Sequence, residues 1–468
     1  MAQPPNILIL MPDQFRHDAM GCAGHPVYRT PHLDRLAEGG VRFTHAYANA
    51  PLCMPARASV VSGLYPHNHH IQGNRGELPA EDETFAHLLQ QSGYHTAYVG
   101  KSHFYDHGRG VDMIEREGYM HARGFEDVHE VAGPHAMVTT ENYLSRRWRE
   151  RGLLEAYRED YTRRAREGGA VAVWPSPLPE EEFLDSYVGA RALDWLGDNA
   201  ERNDQRPFCL WVAFGGPHEP WDAPGRYATM YDPASIPEPL PAEAPGSWVP
   251  DHARERMLAG RDPRFTPEVS RRVMANYGGK VTLIDDWIGR ILADLEAGGL
   301  GENTLVIFWS DHGEMGGDHR RSYKSVFYES SVRVPLILRW PAELPASQVS
   351  DALVEQIDLF DTIAAAAGVP PSRRSFGRSL LPLARGEVEQ ARDTAFSELH
   401  RHVMLRDRGH KYAVDEQGRG YLLYDLQEDP QEQRNLIGHP DCAALERELR
   451  ERMLTFLVST QIEQGSTR

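Results

Sequence analysis

Apolar residues in this chain follow two patterns. Largely apolar runs of strand length recur at Ile7–Met11, His95–Val99, Phe208–Phe214, Thr304–Trp309 and Pro335–Trp340, interrupted only by His95, Thr96, Thr304 and Arg339. A run without polar alternation suits a strand covered on both faces, as in a parallel sheet. Val41–Ala46 reads as a further short strand. Between the runs lie stretches of helical period. Pro31–Gly39 follows a capping Thr30, carries proline in its first turn and closes on Gly39-Gly40. Pro55–Ser62 ends at Gly63, Thr84–Ser92 ends at Gly93, and Glu182–Asp198 keeps the period. Pro267–Ala297 predicts a long helix that Gly278-Gly279 would break, and Leu353–Ala367 predicts another. Strands alternating with helices predict an α/β fold, with a large central mixed, mostly parallel sheet sandwiched by helices.

The texture changes after about residue 380. Thr394–Ser397, Lys411–Val414 and Tyr421–Leu426 predict short strands, with a turn at Asp415–Gly418 and an amphipathic helix over Ala443–Val458. The expected organisation is a large domain over 1–380 and a C-terminal α+β subdomain over 381–468, a small antiparallel sheet with a helix. Residues 129–180 and 222–268 lack a clear period and predict loops or insertions over a site.

Polar clusters fall just past the apolar runs: Asp13-Gln14, Lys101-Ser102-His103, His218 and Asp311-His312. In open α/β sheets ligands bind at that edge. The net charge of −18 argues against nucleic acid or an anionic membrane surface as a bulk partner. A small anionic substrate then requires a local cationic pocket. Four cysteines, at 22, 53, 209 and 442, form no CxxC pair, which argues against a disulfide scaffold. The first residues carry no basic segment, and the apolar run that follows is too short to span a bilayer, so the expectation is a cytoplasmic protein. Among 468 residues there are 46 arginines but only four lysines, Lys101, Lys280, Lys324 and Lys411. A lysine retained against that bias suggests a need for a compact, rotatable ammonium.

Two carboxylates, an amide oxygen and an imidazole, from Asp13, Gln14, Asp311 and His312, form a plausible site for a divalent cation. Oxygen-rich ligation favours Ca²⁺ or Mg²⁺, and the imidazole leaves Mn²⁺ open. Capping of the following helices is the plainer role for the aspartates. Cys53 precedes a helix and lies four residues before Arg57. Helix terminus and guanidinium would both favour a thiolate, so a reactive thiol, an inert buried thiol and a modification signal all stand open. Lys101 and His103 place two cationic or proton-carrying groups two residues apart, and His218 sits at a similar strand end. His67, His69, His70, His107 and His319 have no such support and receive no role.

Cys53-Met54-Pro55-Ala56-Arg57 resembles the Cys-x-Pro-x-Arg signature of the type I, formylglycine-dependent sulfatases of the alkaline phosphatase superfamily. Gly100-Lys101-Ser102-His103 resembles that family's Gly-Lys-x-His, and Ser310-Asp311-His312-Gly313-Glu314 its second metal strand. Lys324 with Arg333-Val334-Pro335, and the tail Tyr424–Glu432, resemble later family segments. The resemblance implies a catalytic domain over 1–380 and a sulfuric ester hydrolase. It implies conversion of Cys53 to formylglycine by a maturation enzyme. The hydrate would attack sulfur and join Asp13, Gln14, Asp311 and His312 on a cation, usually calcium. Arg57 would stabilise the hydrate, and Lys101 and His103 would hold it, with His103 a candidate base. Lys101, His218 and Lys324 would contact a small anionic sulfate ester, with His218 the better general acid. Many members have a second aspartate where this chain has Gln14. Asp-Gln is similar to the related phosphonate monoester hydrolases and phosphodiesterases, which are the alternative reading.

Overall fold

The computed structural model describes residues 3–201, 206–370, 372 and 374–462. Eight strands form one sheet: β1 (Asn6–Asp13), β2 (Val41–Tyr47), β3 (His95–Gly100), β4 (Asp127–Glu130), β5 (Phe208–Pro217), β6 (Thr304–Trp309), β7 (Arg333–Arg339) and β8 (Gln348–Glu355). Their order is β4-β3-β5-β1-β6-β7-β2-β8. Only β7 runs against its neighbours; the other pairings are parallel. The expected mixed, mostly parallel sheet is present.

The continuous apolar runs are explained by cover on both faces. Leu8 and Leu10 of β1 point into one core with Val212 of β5 and Ile284 of the helix Pro267–Ala297. Ile7, Ile9 and Met11 point the other way, into a core with Trp211, Phe85 and Phe360. The helices α1 (Pro31–Glu38) and α2 (Cys53–Ser62) lie on opposite faces, contributing Leu33 to the first core and Val60 to the second.

Several expectations need correction. Thr30 makes no side-chain cap to α1; Asp285 instead accepts from the backbone N–H of His32 at 3.1 Å and Leu33 at 2.8 Å. Gly278-Gly279 does not break the helix, which runs unbroken over Pro267–Ala297. These glycines are contact points: a Cβ at Gly278 would come within 2.3 Å of the Tyr28 ring, and one at Gly279 within 2.1 Å of the Tyr227 carbonyl oxygen. Leu353 belongs to the strand β8, and the helix begins only at Asp358. Pairing with β2 draws these residues into the sheet, and a short apolar run reads alike in either state. The short edge strand β4 carries too little pattern to be read. The segments expected as loops hold the helices Tyr143–Glu150, Leu154–Glu167 and Asp251–Leu258.

A second, antiparallel sheet of β9 (Ala395–Leu399), β10 (His402–Arg406), β11 (His410–Val414) and β12 (Gly420–Asp425) carries the helix Ala443–Ser459. Phe396 and Phe456 stack at 3.6 Å between ring centroids and join helix to sheet. Lys411, buried in β11, reaches Glu329 at 2.8 Å and Glu432 at 2.6 Å, tying this sheet to the residues just before β7.

Candidate active site

Adjacent parallel strands β3, β5, β1 and β6 all end on one edge. That edge gathers Lys101 and His103, His218, Asp13 and Gln14, and Asp311 and His312. Gly100 has φ +115°, and a Cβ there would sit 2.0 Å from the Ala213 carbonyl oxygen. Glycine is therefore what lets β3 turn and present Lys101.

Cys53 is the first residue of α2, a helix buried along its whole length. Its Sγ lies 3.1 Å from His312 Nε2, 3.6 Å from Asp13 Oδ1 and 3.9 Å from Lys101 Nζ. One turn on, Arg57 is fully buried and donates to Asp311 at 2.9 Å and Asp13 at 2.7 Å, and also to the Lys101 carbonyl. Burial alone would lower the Arg57 pKa, but Asp311 and Asp13 carry it above its ordinary value. Burial would raise Asp13, but Lys101 and Arg57 hold it well below the usual carboxylate range.

Donor atoms of Asp13, Cys53, Asp311 and His312 all lie within 4.8 Å of one another. His312 Nδ1 donates to the Gly313 carbonyl at 3.0 Å, which leaves Nε2 turned toward the cluster as a ligating lone pair. Two carboxylates and an oriented imidazole fit a divalent cation.

Gln14 joins this cluster through its backbone N–H, which donates to Asp311 Oδ1 at 3.0 Å. Its side chain faces a second acidic group. Nε2 donates to Glu219 Oε2 at 2.9 Å and to Glu314, and Oε1 accepts from Lys324. An aspartate could not donate, so Glu219 and Glu314 explain an amide at this position. His218 Nδ1 donates to the Glu219 carbonyl at 2.7 Å, and His218 Nε2 lies 2.7 Å from Lys324 Nζ. At the mouth, half-exposed His135 reaches Glu219 at 2.9 Å, and Tyr161 of the helix Leu154–Glu167 hydrogen-bonds His135.

His103 stands apart: among the described residues no hydrogen bond joins it to Cys53. The other expected site residues form one contiguous net. Sequence reasoning passed over Glu219, Glu314, His135, His107 and Glu130. Glu219 and Glu314 each follow a recognised residue within two positions, which was the available signal. His135 and Glu130 come from segments without pattern. Each of the four lysines meets a carboxylate: buried Lys101 on Asp13, Lys280 on Asp222 and Lys411 on Glu329 and Glu432, and half-buried Lys324 on Glu219.

A parallel sheet whose carboxyl edge gathers two metal-type carboxylates, an imidazole and a helix-borne Cys–Arg pair defines a hydrolase of the alkaline phosphatase type. Residues 5–369 match the family model described as Sulfatase, and residues 317–459 match that of the C-terminal region of N-sulphoglucosamine sulphohydrolase. The chain belongs to the sulfatase family. It is 30% identical over 454 residues to the arylsulfatase of Clostridium perfringens, covering 92% of this chain and 90% of that protein. It is 29% identical over 505 residues to the multifunctional alkaline phosphatase superfamily protein PehA of Trinickia caryophylli, covering 97% and 95%. The solved phosphonate monoester hydrolase of Silicibacter pomeroyi aligns with a TM-score of 0.79 at 26% identity, over 98% of this chain and 96% of that one. No helix among the described residues is long and apolar enough to cross a membrane.

Proposed function

We propose that this protein hydrolyses sulfate esters, with residue 53 matured from cysteine to formylglycine by a maturation enzyme. The observation that carries this reading is the placement of Cys53 Sγ 3.1 Å from His312 Nε2 within the Asp13–Asp311–His312 cluster, with Arg57 bonded to both aspartates. Asp13, Asp311 and His312 would hold a divalent cation, for which calcium is the first candidate, with Mg²⁺ and Mn²⁺ behind it. Gln14 would be a further ligand, since Oε1 keeps one lone pair besides the one that accepts from Lys324. The cation would supply charge stabilisation to the sulfuryl oxygens, and the aldehyde hydrate a nucleophile with a second hydroxyl for releasing sulfate.

The chain's own residues do the rest. Arg57 fixes the two aspartates and brings positive charge to the foot of α2. Lys101, held by Asp13, and Lys324 present ammoniums to the charge that develops on sulfate and leaving oxygen. His218 and Lys324 would together serve the departing alkoxide as general acid, the proton starting on Lys324 Nζ, 2.7 Å from His218 Nε2. His103 serves as base near residue 53. Residues 1–380 form the catalytic domain in this reading and 381–468 the subdomain that closes it. A cytoplasmic location belongs to the same reading, since the three cysteines left after maturation of residue 53, Cys22, Cys209 and Cys442, are free thiols that suit a reducing compartment.

Phosphonate monoester or phosphodiester hydrolysis is the second reading. Gln14 favours it, through its amide bridge to Glu219 and Glu314, as does the likeness to the Silicibacter enzyme. Peptide mass spectrometry of residue 53 in active protein, with kcat/KM compared for aryl sulfate, phosphodiester and phosphonate ester, tests both. An unmodified thiol in fully active protein ends the formylglycine reading, and a preference for phosphorus esters ends the sulfatase one.

A further inference from the structure

Behind Lys101 lie two histidine rings. His103 and His107 have ring centroids 5.0 Å apart and an interplanar angle of 31°. His103 Nδ1 and His107 Nε2 are both buried and have no hydrogen-bond partner. Leaving such an atom unsatisfied is costly. Two such atoms on neighbouring rings point to an ordered water, which needs two or more polar partners. A third partner is at hand: Glu130 Oε1, at the end of β4, is 3.8 Å from His107 Nε2, too far for a direct hydrogen bond. Glu130 is itself fixed, accepting from Tyr105 Oη at 2.8 Å and from the Ser102 hydroxyl.

We propose that His107 and Glu130 are positioning residues for His103, joined to its Nδ1 through an ordered water, and that they set its tautomer and ring orientation. This rests on the reading of His103 as base given above. Burial, then Lys101, His107 and Arg57, hold His103 in its neutral form, with Asp13 the opposing influence. A neutral imidazole has one N–H and one lone pair, and the partner of one nitrogen decides which is which. His107 Nε2 acts as an acceptor toward the water, and so does Glu130 Oε1: burial raises the Glu130 pKa to about 8, but the Tyr105 and Ser102 hydroxyls, one donating to each oxygen, favour the carboxylate. They favour a proton on His103 Nδ1 and leave Nε2 as the basic lone pair. Burial and the cations Lys101 and Arg57 push His107 down to about 3, so its Nε2 can remain an acceptor at neutral pH. With φ +54° at His103, the backbone is in a conformation that few non-glycine residues adopt, and a positioned ring is a reason for keeping it there.

The test uses full-length, ¹⁵N-histidine-labelled protein at neutral pH, with the His103 signals assigned by their loss in His103→Gln. The wild type is expected to show His103 as a single Nδ1–H tautomer. His107→Phe keeps the aromatic contact with Tyr105 but removes the acceptor, and should yield a tautomer mixture or the Nε2–H form. His107→Gln, whose amide oxygen can accept from the water, should retain the wild-type signature, and Glu130→Met, which removes both acceptor oxygens, should shift it if the phenylalanine variant does not fold. On an aryl sulfate, His107→Phe should lose about 10–100-fold in kcat with KM nearly unchanged. An unaltered His103 tautomer in folded His107→Phe or Glu130→Met protein overturns the proposal. If the wild type hydrolyses no sulfate ester, the proposed function falls, and the tautomer measurement still decides the relay.

Discussion

Lys324 Nζ lies 2.7 Å from His218 Nε2, and His218 Nδ1 lies 2.7 Å from the Glu219 carbonyl oxygen. The carbonyl can only accept, so Nδ1 carries the hydrogen and Nε2 accepts from the lysine. Burial lowers the His218 pKa well below its ordinary value despite the neighbouring Glu219. Burial would lower Lys324 too, but Glu219 and the other anions around it raise it. In the resting site the mobile proton of this pair is on the lysine.

Lys324→Ala should therefore cost more for esters of poor leaving groups. An alkyl sulfate is expected to lose about 10²–10⁴-fold in kcat/KM, and an activated aryl sulfate much less. Lys324→Arg should rescue little, because a planar guanidinium cannot occupy the place of a compact ammonium. Equal losses across a series of leaving groups would refute the assignment.

Gln14 is fitted to Glu219 and Glu314 as much as to the cation cluster. Gln14→Asp would set a third carboxylate beside two others and remove a donor from each. A loss on the order of 1–3 kcal/mol in unfolding free energy is expected. Gln14→Asp combined with Glu314→Gln should recover part of it. Denaturant unfolding of the single and double variants measures the coupling, and strict additivity would argue against it.

Arg57→Lys keeps the charge but cannot span Asp13, Asp311 and the Lys101 carbonyl together. The carboxylates should lose their orientation, and divalent-cation affinity should fall by about 10–100-fold. Calorimetric titration of chelator-treated protein checks this without any turnover. Wild-type affinity in the variant would mean that Arg57 does not organise the cluster.

Asp285 gives a pH dependence of stability. Burial raises its pKa to about 7, outweighing the two backbone N–H groups of α1 that favour the anion. A carboxyl with a raised folded pKa is most favourable when protonated. Its contribution is present below the unfolded value and is lost as pH rises through about 7. Asp285→Asn should thus become more stable relative to wild type between about pH 4 and 7. Thermal midpoints taken across that window report the sign, and a gap that shrinks as pH rises would contradict it.

The sheet was legible because β1, β3, β5 and β6 are largely apolar and are followed by polar clusters. Those clusters named Asp13, Lys101, His218 and Asp311, and the Cys-x-Pro-x-Arg motif named Cys53 and Arg57. Edge strands were not legible. β8 shares only part of its length with an apolar run, and β4 has four residues of no marked pattern. Asp285, rather than Thr30, caps α1, because the carboxylate arrives from a helix about 250 residues later and no local rule anticipates it.

The sequence by itself determined the fold class, the carboxyl edge on which chemistry gathers and the residue types that stand there, since each follows from local pattern and short spacing. Only the tertiary structure decided their pairings. Gln14 meets Glu219 and Glu314, Lys324 meets His218, and His107 comes within 3.8 Å of Glu130, through contacts that span many residues of chain. Such contacts are selected by packing in three dimensions, where burial removes water and leaves each polar group dependent on whichever neighbour the fold supplies.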